Sequence, residues 1–151
     1  MKYRKMLVPL DSSRFAECVL DHVKEIATTR AIPEVVLYSV VEPLPEATAA
    51  YMGDDRVQES EKRARAAMLE YLGNVKKQLN LSGSTVTTLV ETGKPADRIL
   101  DFIEHKDVDI VVMAKSSRED AARLFVGSVT DKVLRGSTSP VFLVPSPACG
   151  G

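Results

Sequence analysis

Four short runs in this chain are almost continuously apolar: residues 6–10 "MLVPL", 34–41 "EVVLYSVV", 108–114 "VDIVVMA" and 139–145 "SPVFLVP". A strand with one wet face alternates apolar and polar residues, whereas a strand covered on both faces has no reason to. These runs therefore read as strands of a parallel sheet lying between layers of helix. A fifth run, residues 84–91 "STVTTLVE", is rich in β-branched residues and reads as another strand. Helical spacing fills the intervals. Phe15, Val19 and Val23 recur with Ala16, Leu20, Ile26 and Ala27, and a longer series follows in Val57, Ala64, Met68, Leu72, Val75 and Leu79. Ile99, Phe102 and Ile103 mark a third helix, and Val129, Val133 and Leu134 a fourth. Five strands alternating with four helical segments predict an α/β fold: an open, doubly wound, five-stranded parallel sheet with helices on both faces and right-handed crossovers. Residues 42–55, "EPLPEATAAYMGDD", hold two prolines and a glycine and read as a loop, long enough to act as a lid.

The chain has 151 residues, the size of one domain. Residues 1–145 are expected to form it, and residues 146–151, "SPACGG", a flexible tail. The formal net charge of -1 gives no electrostatic footprint for nucleic acid or an anionic membrane. No run approaches the roughly 20 apolar residues of a membrane span. The first run is broken by Pro9 and ends at Asp11, shorter than the roughly 7–15 residues of a secretion-signal core. The expectation is a soluble cytoplasmic protein with neither nucleic acid nor membrane as a partner. Cys18 and Cys149 form no disulfide framework and no zinc spacing, and Cys18 reads as a small buried hydrophobe.

Several motifs fall away on inspection. "TGKP" resembles half of a P-loop, but Thr88 stands at the first glycine position and Pro95 at the Ser/Thr position, so Gly93-Lys94-Pro95 reads as a strand-to-helix turn. His22 and His105 lack metal-ligand neighbours, and His105 suits the negative end of its helix. Lys62, Arg63 and Arg65 are interleaved with Glu59, Glu61 and Glu70, the pattern of a solvated helix face. No catalytic residue and no metal site emerges from the sequence.

Two places remain. Asp11 follows the first strand, and residues 114–130 follow the fourth. Each has a structural explanation: Asp11 or Ser12 as the cap of the next helix, and Gly127-Ser128 as an ordinary helix start. A doubly wound sheet, however, brings both strand ends to one crevice where ligands bind. There, backbone N–H groups of Gly127, Ser128, Val129 and Thr130 suit an anion, and Asp11 can accept hydrogen bonds from a sugar or base. That combination suits a nucleotide.

The stretches "MLVPLDSS", "VVLYSVVEP", "VETGKPADRILDFIEHKDVDIVVMA" and "RLFVGSVTDKVLRGSTSPVFLVP" together resemble the universal stress protein family over nearly the whole chain. The resemblance implies strand order 3-2-1-4-5 and a homodimer in which the last strands, residues 141–144, pair. It implies binding of ATP or AMP, with adenosine contacts at Pro9, Leu10, Asp11, Val40 and Met113 and phosphate contacts at Gly127, Ser128, Val129 and Thr130. The family pattern G-x2-G-x9-G-(S/T) falls on Ala114, Ser117, Gly127 and Ser128, so its spacing is kept while its first two glycines are not. If the backbone at those positions is left-handed, the change weakens binding about tenfold; otherwise it adds only local crowding. The alternative is a dimeric stress protein without nucleotide, acting through protein–protein contacts. A slow ATPase is the most an enzymatic reading allows, with a divalent metal held only alongside bound phosphates.

Overall fold

The computed structural model describes residues 2–13, 16–115 and 127–145. Strands β1 (Lys5–Pro9), β2 (Glu34–Val41), β3 (Thr85–Thr92), β4 (Ile110–Ala114) and β5 (Val141–Val144) form one sheet of order β3-β2-β1-β4-β5. All four pairings are parallel, as the apolar runs require. Helices α1 (Leu20–Thr29) and α3 (Asp54–Leu79) pack on one face, and α4 (Pro95–His105) and α5 (Ser128–Gly136) on the other.

Successive strand residues feed the two cores in turn. Met6, Val8 and Leu10 of the first strand segment join Val35, Leu37, Leu72 and Val75 under α1 and α3. Leu7 joins Val36, Tyr38, Val111 and Met113 under α4 and α5. Both sets are fully or nearly fully buried, which is why β1, β2 and β4 show no polar alternation. The edge strand β3 does alternate, with exposed Thr85 and Thr87 flanking buried Val86.

The turn before α4 forms as expected. Gly93 has φ +148, Lys94 precedes the helix and Pro95 occupies its first turn, where a missing N–H costs nothing. Glycine is required there by backbone conformation; a Cβ would lie 2.7 Å from the Arg98 Nε, a contact the flexible arginine side chain can relieve by moving aside.

Three sequence expectations are corrected. Residues 42–55 are not all loop: Glu46–Met52 form a short helix, α2, that buries no side chain. With nothing to bury, it carries no apolar period to read. The first helical segment starts as a 3-10 turn, Ala16–Val19, before α1, and α1 has no side-chain cap. Neither Asp11 nor Ser12 therefore caps it. Cys18, expected as a small buried hydrophobe, is only half-buried in the 3-10 turn. His105 sits exposed at the end of α4, with Nδ1 2.9 Å from the Asp101 carbonyl. Among the described residues, no helix is long and apolar enough to cross a membrane.

Candidate functional site at the exits of the first and fourth strands

The winding of the sheet reverses between β1 and β4, which lie side by side with Met6 opposite Ile110 and Leu7 opposite Val111. Their C-terminal exits therefore open on one crevice, as the doubly wound topology requires.

On the β1 side the backbone is pinned to β2. The Leu10 N–H donates to the Tyr38 carbonyl at 2.8 Å, and the buried Ser39 hydroxyl donates to the Leu10 carbonyl. Leu10 is buried, so it frames the crevice without a free polar group. Asp11 follows, exposed, with Oδ1 accepting the Ser13 N–H at 3.0 Å in an Asx-type turn. Ser12 completes that turn at φ +67, the left-handed region. Pro9 is half-buried at the end of β1, and Val40 lies partly buried on β2, packed against the α4/α5 core.

On the β4 side, Met113 is buried and Ala114 half-buried. Ala114 is not among the residues with positive φ, so its methyl adds bulk but no backbone strain. The Lys115 N–H donates to the Val144 carbonyl at 2.8 Å, extending the β4–β5 pairing. The Lys115 carbonyl in turn accepts the Gly127 N–H at 3.3 Å. The buried Thr130 hydroxyl donates to the Ala114 carbonyl at 3.2 Å. These two bonds fix the start of α5 against the exit of β4.

The first turn of an α-helix has N–H groups without carbonyl partners in the helix. Here Gly127 occupies the cap position with φ -48 and ψ 153, and no side chain caps the helix. Asp131 closes the first intrahelical bond, to the Gly127 carbonyl at 2.8 Å. The amides of Ser128, Val129 and Thr130 precede that bond and have no described partner. Among the described residues, the first amide of α5 without a partner is thus that of Ser128, because Gly127 gives its own to Lys115. The φ at Gly127 suits any residue, so the backbone conformation by itself does not call for glycine there.

A surface ion pair steadies α5. Lys132 Nζ lies 2.7 Å from Asp97 Oδ1 on α4. The hydrogen bond and charge of Lys132 hold the Asp97 carboxyl below the usual carboxylate range. Among the described residues, no group of three or more His, Cys, Asp or Glu could hold a metal ion. Of the residues singled out from the sequence, Ser117 lies outside the described residues. Pro9, Leu10, Asp11 and Val40 lie at the ends of β1 and β2; Met113, Ala114, Gly127, Ser128, Val129 and Thr130 lie at the end of β4 and the start of α5. Sequence reasoning missed Ser39, whose hydroxyl holds the Leu10 carbonyl at the exit of β1. Ser39 was visible as the lone hydroxyl in an apolar run.

Known proteins share this architecture. The model of the universal stress protein family matches residues 2–145. Universal stress protein MJ0577 of Methanocaldococcus jannaschii is 30% identical, over 94% of this chain and 94% of that protein. The solved structure of MJ0577 matches with a TM-score of 0.82, covering 96% of this chain and 97% of that one. A universal stress protein from Archaeoglobus fulgidus, solved in complex with dAMP, shares the fold at a TM-score of 0.55 and 24% identity, over 95% and 98% of the two chains. A family member from Arabidopsis thaliana with AMP bound does so at 0.59 and 16%, over 94% and 91%.

Proposed function

Because this chain belongs to the universal stress protein family, we propose that it is a nucleotide-binding regulatory module of the stress response, taking ATP or AMP in the crevice between β1 and β4. The observation that carries this reading is the start of α5. Three consecutive amides, of Ser128, Val129 and Thr130, have no described partner, and the positive end of the helix dipole adds to them. A phosphate is the ligand group that such a terminus serves. Asp11 supplies an acceptor for the ribose or the base. Pro9, Val40 and Met113 supply apolar surface, with the Gly127 cap leaving room for the phosphate chain. The AMP and dAMP complexes of structurally similar family members support an adenine nucleotide.

A divalent metal belongs to this reading only as a companion of the phosphates, since Asp11 alone cannot hold one. A homodimer through β5, residues 141–144, and a cytoplasmic setting belong to it as well. The second reading, a dimer acting through its surface without nucleotide, rests on Ala114, whose methyl stands where the family pattern has a glycine.

Isothermal titration with ATP, ADP and AMP separates the two readings. Saturable heat from ATP or AMP is expected, and its absence at millimolar ligand would leave the surface reading. Gly127→Val is expected to abolish that heat while circular dichroism and melting temperature stay close to the parent. Undiminished binding by the variant would move the phosphate site elsewhere.

A further inference from the structure

The edge strand β3 pairs only with β2. Its Thr85 N–H donates to the Pro33 carbonyl at 2.8 Å, and the Gly93 N–H just past its end donates to the Val41 carbonyl at 3.1 Å. These bonds set the phase of the strand. Odd-numbered residues turn their backbone groups toward β2, and Val86, Thr88 and Val90 turn theirs outward. Among the described residues, those outward N–H and C=O groups have no partner. Exposed edges are commonly blunted by short length, Pro, Lys or a bulge. β3 runs for eight residues, "TVTTLVET", without Pro or Lys.

A groove of about 480 Å³ lies along the same strand, between β3 and the last turns of α3. Val86 and Thr88 line it together with Lys76, Lys77, Asn80 and Ser84, and no carboxylate does. Lys76 and Lys77 are exposed, and neither forms an ion pair among the described residues. The helix dipole favours a lysine in a last turn, but it does not require two of them beside an open strand. The outward groups recur at about 6.6 Å, two residues of strand rise, each offering a donor and an acceptor. Only another peptide backbone matches both at that repeat. We propose that the rim of β3 is a docking site for an extended acidic segment of a partner protein, which adds to the sheet as a further strand and sets carboxylates against Lys76 and Lys77. Val86 and Val90 bury their side chains under α3, so every second side chain of the added strand faces the groove. A second copy of this chain does not fit. Its residues 139–145, "SPVFLVP", hold no acid, and its own β3 would bring lysines against lysines. The inference concerns the edge opposite β5 and does not depend on a bound nucleotide.

The probe is a fluorescein-labelled peptide of alternating valine and glutamate, as long as β3, titrated into the full chain and followed by fluorescence anisotropy. Saturable binding that weakens with added salt is expected, and a peptide of alternating valine and lysine should not bind. Reversing both charges, Lys76→Glu with Lys77→Glu, should weaken binding about tenfold, since two exposed ion pairs are lost. Circular dichroism and melting temperature of that variant should match the parent. Residue-resolved amide exchange reads the strand addition itself. The Val86, Thr88 and Val90 amides should slow when the acidic peptide is added, while those of Thr87 and Leu89, already turned to β2, should change little. Thr88→Pro removes an outward N–H and no bond to β2, so it should lose the peptide and keep the sheet. If that variant fails to fold, the charge reversal and the exchange pattern still decide. No saturable binding at millimolar peptide, equal binding of the lysine peptide, or parental affinity after charge reversal would each overturn the inference. So would binding that leaves the outward amides unslowed, which is adsorption to the lysines and not a new strand. A parent that binds no peptide, with a charge-reversed variant that self-associates, would reduce the lysines to guards of the edge and overturn it too. None of these results bears on the nucleotide titration.

Discussion

Ser12, Ala31, Asn80 and Asp107 carry positive φ in the described chain without being glycine. For an L-residue this conformation costs roughly 1–2 kcal/mol, least for Asn and Asp, whose side chains bond locally. Ala31 has no such relief. It follows α1 at φ +51, and the Ile32 N–H reaches back to the Ala27 carbonyl at 2.9 Å, the closure of a Schellman motif whose usual residue is glycine. Ala31→Gly is therefore expected to stabilise the protein by roughly 0.5–1 kcal/mol after the added freedom of the unfolded chain is subtracted. Urea titration at unchanged slope would show it, and a lower midpoint would refute it. This residue was legible as a helix end only in retrospect: "TRAIP" holds neither glycine nor asparagine. The same limit applies at the site. Gly127 announces a helix start from sequence, but that its amide is given to Lys115 depends on a contact across the β4 exit. The hydroxyl of Tyr71, unpartnered among the described residues, likewise depends on how α3 lies over the sheet, which no local pattern encodes.

Elements buried on both sides were the readable ones. β2 matches its sequence bounds, Glu34–Val41, because a continuous apolar run sits between Pro33 and the prolines after Glu42. α2 was unreadable because it packs on nothing that would impose a period. Between these extremes lies Tyr38, which ties three elements together. Its hydroxyl donates to Glu91 Oε2 on β3 at 2.8 Å and lies 3.3 Å from the Arg98 carbonyl on α4. Its ring sits 5.1 Å from that of Phe102. Tyr38→Phe should cost about 1–2 kcal/mol near neutral pH, since it deletes a bond to a charged acceptor and leaves Glu91 without its donor. Burial pushes the Tyr38 phenol well up, followed by the hydrogen bond to Glu91 and that carboxylate's charge. In the unfolded chain a tyrosine ionises near pH 10, as a rough reference. Stability from keeping Tyr38 neutral is thus complete below that pH and is lost as the pH rises beyond it. The gap between parent and Tyr38→Phe should narrow in denaturant titrations above about pH 10. A gap that widens there would contradict the assignment.

At the scale of the whole molecule, the sheet order was recovered because near-continuous apolar strands and helical crossovers leave few arrangements, and the family resemblance selects among them. The two margins of the sheet differ in kind. β5 presents Phe142, 42% exposed and tilted against the His22 ring, beside half-buried Val141 and Leu143. An apolar edge of this sort invites a partner strand. Phe142→Lys is expected to turn a dimer into a monomer in sedimentation velocity, with the fold unchanged by circular dichroism. A monomeric parent, or a dimeric variant, would remove β5 from that role. The opposite margin, β3, offers exposed threonines and ends beside Glu91 and Thr92. Growth of a sheet from copy to copy needs an adhesive rim at each end, so that every added molecule offers a fresh one. With a single adhesive rim, two copies joined face to like face have used it up, and assembly closes at a pair rather than running on into filaments.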